Sequence, residues 1–293
     1  MAQAIAAGRP VVALESTVLS HGLPRPVNRQ TAVELESLVA RGGAIPATIA
    51  VLDGRFVVGL EPEELQRVCA DAGLRKLNRR DLAAAGTLGW SGGTTVSATM
   101  ALAHAAGIRV FATGGIGGVH RGGSGDVSAD LEEMARTPMA VVCSGAKAIL
   151  DLDQTLERLE TLGVPVVGWQ TDRFPEFFSS GSNRPVSVRV EDEQEAARLV
   201  DRQLAMGSGL LICVPCPPDE AVPAKQVAQA LDRAEQEAAR AGVGGKDLTP
   251  YLLARLADLT AGASLRANLA LLRNNAGVAA RLAVALATIS SRR

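Results

Sequence analysis

The stretch Ile108-Arg-Val-Phe-Ala-Thr113, running into Gly114-Gly-Ile-Gly-Gly-Val-His-Arg-Gly-Gly123, decides the fold. An apolar run of this length predicts a buried strand. The glycines at its end predict a loop in which backbone amides converge on an anion or turn tightly. Ser128 then caps a helix over Ala129–Arg136, with Asp130, Glu132 and Glu133 in its first turns. Met139–Cys143 follows as a second buried strand, leading into Ser144-Gly-Ala-Lys147.

The same alternation extends outward in both directions. Upstream, Val11–Leu14 reads as a strand ending in Glu15-Ser-Thr17, and Val27–Arg41 as a helix closed by Gly42-Gly43. Ala47–Leu52 and Arg55–Leu60 flank Asp53-Gly54, a strong hairpin signal. Pro62–Ala72 and the small-residue segment Gly92–Ala106 read as helices. Downstream come a helix at Asp153–Leu162, a strand at Val164–Trp169, an irregular run from Phe174 to Pro185 and a strand at Val186–Val190. A helix at Glu193–Met206 and a strand at Leu210–Val214 follow. After Pro223 the chain turns helical: Ala224–Ala241, Pro250–Leu259 and Ser264–Ile289. Strand–helix alternation predicts an α/β fold, a three-layer α/β/α arrangement. The hairpin makes its central sheet mixed, and the C-terminal region is helical. No linker interrupts residues 1–293, so one domain is expected.

Composition excludes several functions. The 293 residues are 47% hydrophobic but only 3% aromatic, and 30 Lys+Arg against 31 Asp+Glu leave a net charge of −1. There is no basic footprint for nucleic acid and little aromatic surface for stacking single-stranded bases. The N-terminal segment has no charged region before its apolar run, and Val278–Ile289, interrupted by Arg281, is too short to span a bilayer. Four cysteines suit a reducing, cytoplasmic setting, and Cys213-Val-Pro-Cys216 lacks the further ligands of a zinc site. No nucleic-acid or membrane partner is therefore expected.

Lysine usage is the sharpest chemical clue. Of the 30 basic residues only four are Lys: Lys76, Lys147, Lys225 and Lys246. Arg cannot serve as an amine nucleophile. Lys225 and Lys246 sit among polar residues and read as solvated. Lys147 leaves an apolar strand in what reads as a strand-to-helix turn, at the edge where α/β sheets bind ligands. There it is either a nucleophile freed by an apolar surround or a structural ion pair. The glycine loop, with His120 and Arg121, is either a phosphate cradle or a structural turn, and it matches neither a Walker loop nor a dinucleotide fingerprint. Asp126-Val-Ser128-Ala-Asp130 offers oxygen ligands to a hard cation, or simply a helix cap. Glu15 is a candidate general acid, and Lys76-Leu-Asn-Arg-Arg-Asp81 a solvated turn or a second anion contact.

Val11–Pro24 (VVALESTVLSHGLP), Gly43–Leu60, Lys76–Leu82 (KLNRRDL), Gly92–Met100 (GGTTVSATM), Val110–Leu131, Val142–Asp151 (VCSGAKAILD) and Thr249–Asn275 together resemble the pseudouridine-5'-phosphate glycosidases, also named after an indigoidine biosynthesis protein. The resemblance implies reversible cleavage of the C–C glycosidic bond of pseudouridine 5'-phosphate with water, giving uracil and ribose 5-phosphate. It implies a nucleophile at Lys147 and an acid at Glu15, and a divalent metal, usually manganese (Mn²⁺), at Asp126. Substrate contacts fall on Lys76, Val96, Ser128, Ala129, Asp130 and Asn268, with Thr113, His120 and Arg121 on the phosphate side. It also implies a small-molecule substrate and a homotrimer. The chain departs from the family at Asn78, Ala148 and Val214, and matches it poorly over Ser179–Arg184. With so few aromatics, the base is expected to be held by hydrogen bonds and aliphatic contacts such as Val96.

Overall fold

The computed structural model describes residues 1–121, 125–179, 182–244 and 248–290. The glycines at 122 and 123 and Lys246 lie outside the described residues. The strands are β1 (Val11–Leu14), β2 (Ile45–Leu52), β3 (Arg55–Val58), β4 (Arg75–Leu77), β5 (Gly92–Thr94), β6 (Val110–Ala112), β7 (Val119–His120), β8 (Ala140–Cys143), β9 (Leu150–Asp151), β10 (Val166–Trp169), β11 (Val188–Val190) and β12 (Leu210–Cys213). The helices are α1 (Ala2–Ala6), α2 (Val27–Arg41), α3 (Pro62–Ala70), α4 (Leu82–Leu88), α5 (Val96–Ala105), α6 (Ala129–Arg136), α7 (Leu152–Thr161), α8 (Glu193–Ala205), α9 (Ala224–Arg240), α10 (Leu248–Leu259) and α11 (Ala263–Ser290).

Ten strands form one mixed sheet, ordered β11-β10-β12-β8-β6-β1-β2-β5-β4, with β3 paired to β2. From β11 to β2 every pairing is parallel. β1, β8, β10 and β12 are buried along their whole length, as parallel strands covered on both faces must be. Helices cover both sides: α11 lies across β1, β6 and β8 beside α2 and α8, while α5 packs on β1 and β2 beside α6. The main apolar core runs from Val11 to Leu286, and a smaller cluster around Val68 lies between β2, α2 and α3.

The hairpin forms as expected: Asp53 and Gly54 both have positive φ (52° and 78°), and β2 and β3 pair antiparallel across them. Three expectations need correction. Gly92–Thr94 is not the start of a helix but strand β5, wedged between β2 and β4. A Cβ on Gly92 would stand 2.4 Å from the Arg75 carbonyl oxygen, so the small residues serve strand contact rather than helix packing. Lys76, read as part of a turn or polar cluster, lies in β4 opposite Gly93. The chain after Lys147 does not enter a helix directly: β9 intervenes, pairing with β7, and α7 begins at Leu152, capped by Asp151.

The apolar stretch near the C-terminus is also longer than Val278–Ile289. α11 runs unbroken for 28 residues, long and apolar enough to cross a membrane by length and composition alone. Most of its apolar window (61%) is buried inside the fold, against the sheet, which makes it a core helix.

Candidate active site

Three neighbouring parallel strands, β1, β6 and β8, deliver the central residues from their carboxyl ends. Glu15 follows β1, Thr113 follows β6, and Lys147 lies four residues beyond β8. This edge is where open α/β sheets bind ligands. Glu15 is only 7% exposed, and the Thr113 hydroxyl donates a hydrogen bond to its carboxylate. Burial pushes the Glu15 carboxyl above its ordinary value; Lys147, Thr113 and Lys76 pull it back, and Asp130 adds to the rise. Glu15, Lys147, Lys76, Asp130 and Thr113 therefore share one electrostatic neighbourhood. Both lysines are half-buried.

The residue after Glu15 explains how the strand end is fixed. The Ser16 hydroxyl donates to the Ile49 carbonyl at 2.6 Å and accepts the Thr94 amide at 2.9 Å, tying β1, β2 and β5 together. Its carbonyl accepts the amides of Leu19 and Ser20 at the start of a π-helical turn, Val18–Gly22. Between them, the buried Thr17 hydroxyl has no hydrogen-bond partner among the described residues.

The glycine loop packs against the Lys147 turn. The Ile116 amide donates to the Gly145 carbonyl at 3.0 Å, and the Lys147 amide to the Ile116 carbonyl at 3.1 Å. Asp130 is 4% exposed and accepts the Gly117 amide at 2.8 Å and the Ser97 amide at 3.0 Å. A Cβ on Gly117 would lie 2.3 Å from the Ser128 hydroxyl, so that position has room only for glycine. Ser128 caps α6 by accepting the Asp130 amide. The capping alternative is thus realised at Ser128, while the Asp130 carboxylate anchors two backbone amides.

The remaining expected site residues are more dispersed. Val96, 1% exposed, opens α5 one residue before Ser97. Asn268, 8% exposed on α11, makes no side-chain hydrogen bond to a described residue. Ala129, at the start of α6, is exposed and lines with Ser128 an open cavity of about 450 Å³. His120 lies half-buried in β7, its amide bonded to the Asp126 carbonyl at 2.9 Å. Arg121 is exposed and directs its guanidinium at the carbonyls of Leu150 (3.3 Å) and Ala148 (3.4 Å). It walls a second cavity of about 330 Å³ with Arg184 and α9 residues, a space that Glu15, Lys76 and Lys147 do not line.

Asp126 is exposed, and among the described residues no three His, Cys, Asp or Glu converge on a common point. A hard cation there would rest on this one protein carboxylate, with water or substrate oxygens completing its shell. The cysteines are buried thiols; burial pushes Cys216 up to about 11, so it is protonated and unreactive at neutral pH.

Two residues that shape the site escape sequence reasoning: Ser16, whose hydroxyl is a structural tie, and Asn275, buried on α11. Asn275 left a signal, since adjacent asparagines are poor helix formers in the middle of an apolar helix. The aromatic ring nearest the glycine loop among those described, Phe177, is buried beneath Gly114 and Gly115 as packing.

A parallel α/β sheet presenting a buried acid and an amine at its carboxyl edge defines an enzyme-like small-molecule site. The chain belongs to the family described as indigoidine synthase A like protein, whose model matches residues 1–285. It is 52% identical over 287 residues to a protein of Methylobacterium nodulans named pseudouridine-5'-phosphate glycosidase, covering 97% of this chain and 85% of that one. It is 51% identical to a protein of the same name from Caldanaerobacter subterraneus, covering 95% and 92%. Among solved structures, the prealnumycin C-glycosynthase AlnA in complex with ribulose 5-phosphate superposes with a TM-score of 0.92 at 38% identity, covering 100% of this chain and 96% of that one. An indigoidine synthase A-like protein of Thermotoga maritima gives 0.89 at 39% identity, covering 96% and 94%.

Proposed function

We propose that this protein is a pseudouridine-5'-phosphate glycosidase, formed by one domain. It reversibly splits the C–C glycosidic bond with water, giving uracil and ribose 5-phosphate. The observation that carries the mechanism is the placement of Glu15 and Lys147 beyond the ends of β1 and β8, the two strands that flank β6, with burial favouring the protonated carboxyl beside an amine. A C–C bond has a carbon leaving group, so a carboxylate pair of the ordinary glycosidase kind does not suffice. Glu15 gives its proton to the ribose ring oxygen as the ring opens, and the Lys147 amine forms the bond to C1'. In that amine adduct the nitrogen lone pair forms the C1'=N bond of an iminium as the C–C electron pair passes to the uracil ring, which takes up a proton. Water then adds to C1' and releases ribose 5-phosphate, returning the amine.

Lys76, Val96, Ser128, Ala129, Asp130 and Asn268 form the substrate surround, with Thr113, His120 and Arg121 toward the phosphate. Asn268 supports this assignment as a buried amide not engaged by any described residue. Asp126 would hold the Mn²⁺, which when bound supplies positive charge to substrate oxygens. The protein acts in the cytoplasm, as a homotrimer.

The test is direct. Incubation with pseudouridine 5'-phosphate and Mn²⁺ should lower the nucleoside absorbance, and borohydride with ribose 5-phosphate should trap an adduct that Lys147→Ala abolishes. An adduct persisting in Lys147→Ala removes the assigned nucleophile. The likeness to a C-glycosynthase favours a second reading, in which the same amine joins or splits another phosphosugar and ring; ribose 5-phosphate trapping without turnover of pseudouridine 5'-phosphate would select it. Tight binding of ribose 5-phosphate with neither trapping nor turnover would instead mark a non-catalytic binding protein.

A further inference from the structure

The β6–β8 ladder changes step at the site. The pairing ends with Ala112 opposite Val142, and the next amide, that of Thr113, still donates to the Val142 carbonyl at 3.0 Å, as a parallel ladder requires. In a regular continuation the Thr113 carbonyl would receive the Ser144 amide. That amide instead goes one residue further, to the Gly114 carbonyl at 2.8 Å. The Thr113 carbonyl is thereby left out of the ladder in a fully buried place, where an unmet acceptor is costly.

Asn275 fills the gap from α11. Its amide nitrogen donates to the Thr113 carbonyl at 2.8 Å and lies 3.4 Å from the Gly114 carbonyl and 3.2 Å from the Ser144 hydroxyl. The Ser144 hydroxyl in turn reaches the Asn275 carbonyl oxygen at 3.3 Å. Asn275 is 0% exposed. A side chain that both donates and accepts on one edge is needed here, and among side chains of this size the carboxamide supplies it. Each strand end that Asn275 touches leads to one reacting group. Thr113 hydrogen-bonds Glu15, and Ser144 begins the turn to Lys147.

We infer that Asn275 is a positioning residue: by holding the Thr113 carbonyl and the Ser144 hydroxyl together, it sets the acid and the amine in mutual register. This rests on the acid–amine chemistry proposed above. A misplacement of about 1 Å between reacting groups costs about a hundredfold in rate, so the effect belongs in kcat rather than in binding.

The experiment uses the full chain and compares wild type, Asn275→Ala, Thr113→Val and the double variant, each assayed for kcat and KM with pseudouridine 5'-phosphate and for trapping of ribose 5-phosphate. Asn275→Ala should lower kcat by about tenfold or more while KM moves less than about threefold, and its trapping rate should fall in step. Because Asn275 acts in part through Thr113, the losses should be clearly less than additive in the double variant. If the alanine variant shows no cooperative melt, Asn275→Asp, of equal size but without the donor, is measured instead. A kcat within about twofold of wild type, or fully additive losses, overturns the inference while wild-type turnover leaves the proposed function standing. A wild-type chain that neither turns over nor traps overturns both.

Discussion

Glu15 illustrates how one buried side chain couples chemistry to stability. Desolvation raises its carboxyl above the ordinary 4.5. In its proposed role as proton donor it is competent below the folded-state value and is lost as pH rises through it, so the cleavage rate should decline on the alkaline side of that value. The folded chain also holds this proton more tightly than the unfolded chain, so the contribution to stability falls as pH climbs from 4.5 toward the folded value. Glu15→Gln should remove that slope from a plot of melting temperature against pH, and lower kcat by about a hundredfold or more. Thr17 gives the opposite kind of test. Its buried hydroxyl lacks a partner among the described residues, and such a group costs about 1–3 kcal/mol. Thr17→Val should leave the ligand-free protein equally stable or more so in a thermal melt; a drop in melting temperature would mean that water satisfies the hydroxyl. For Asp126→Ala, a single-carboxylate site predicts a higher Mn²⁺ requirement for half-maximal rate, measured by metal titration.

At the scale of elements, the glycine loop and the start of α6 are built for each other. Gly117→Ala would press a methyl group against the Ser128 hydroxyl and to within 2.8 Å of the Asp130 carboxylate, displacing both the cap and the amide anchor. Overpacking of this kind costs about 1–3 kcal/mol, readable as a lower urea midpoint, and activity should fall with it. The long helices were legible in the sequence because their apolar positions recur with helical period and turn signals close them; α2 spans the predicted residues. The strands β1, β6 and β8, and hence the Glu15–Lys147 edge, were legible as short apolar runs ending in polar or glycine residues. β5 was not, because Gly92 is required by the close approach of β4 and Gly93 by the Ser20 hydroxyl and Ser16 carbonyl, non-local facts with no periodic signature. Nor was the direction of Arg121, whose contacts at Ala148 and Leu150 depend on the β7–β9 pairing.

For the whole molecule, the continuous core from Val11 to Leu286 predicts a single cooperative thermal transition rather than two. α11 touches β1, β6, β8, α2 and α8, so a chain cut before Ala263 should lose native near-ultraviolet dichroism altogether and not merely its activity. Scarce aromatics fit this architecture. Trp90 lies under Arg75, with the guanidinium 4.0 Å from its ring, and Phe177 fills space beneath the glycine loop.

The step in the β6–β8 ladder bears on the order in which the protein is made. Its closing partner, Asn275, lies beyond every described strand in the chain, and domains are assembled from the N-terminal side as synthesis proceeds. Glu15, Thr113 and Lys147 leave the ribosome well before the helix that clamps their strand ends. A nascent chain can therefore hold every residue of the proposed acid–amine pair and still lack both native packing and a competent site, which are established together when the last long helix docks.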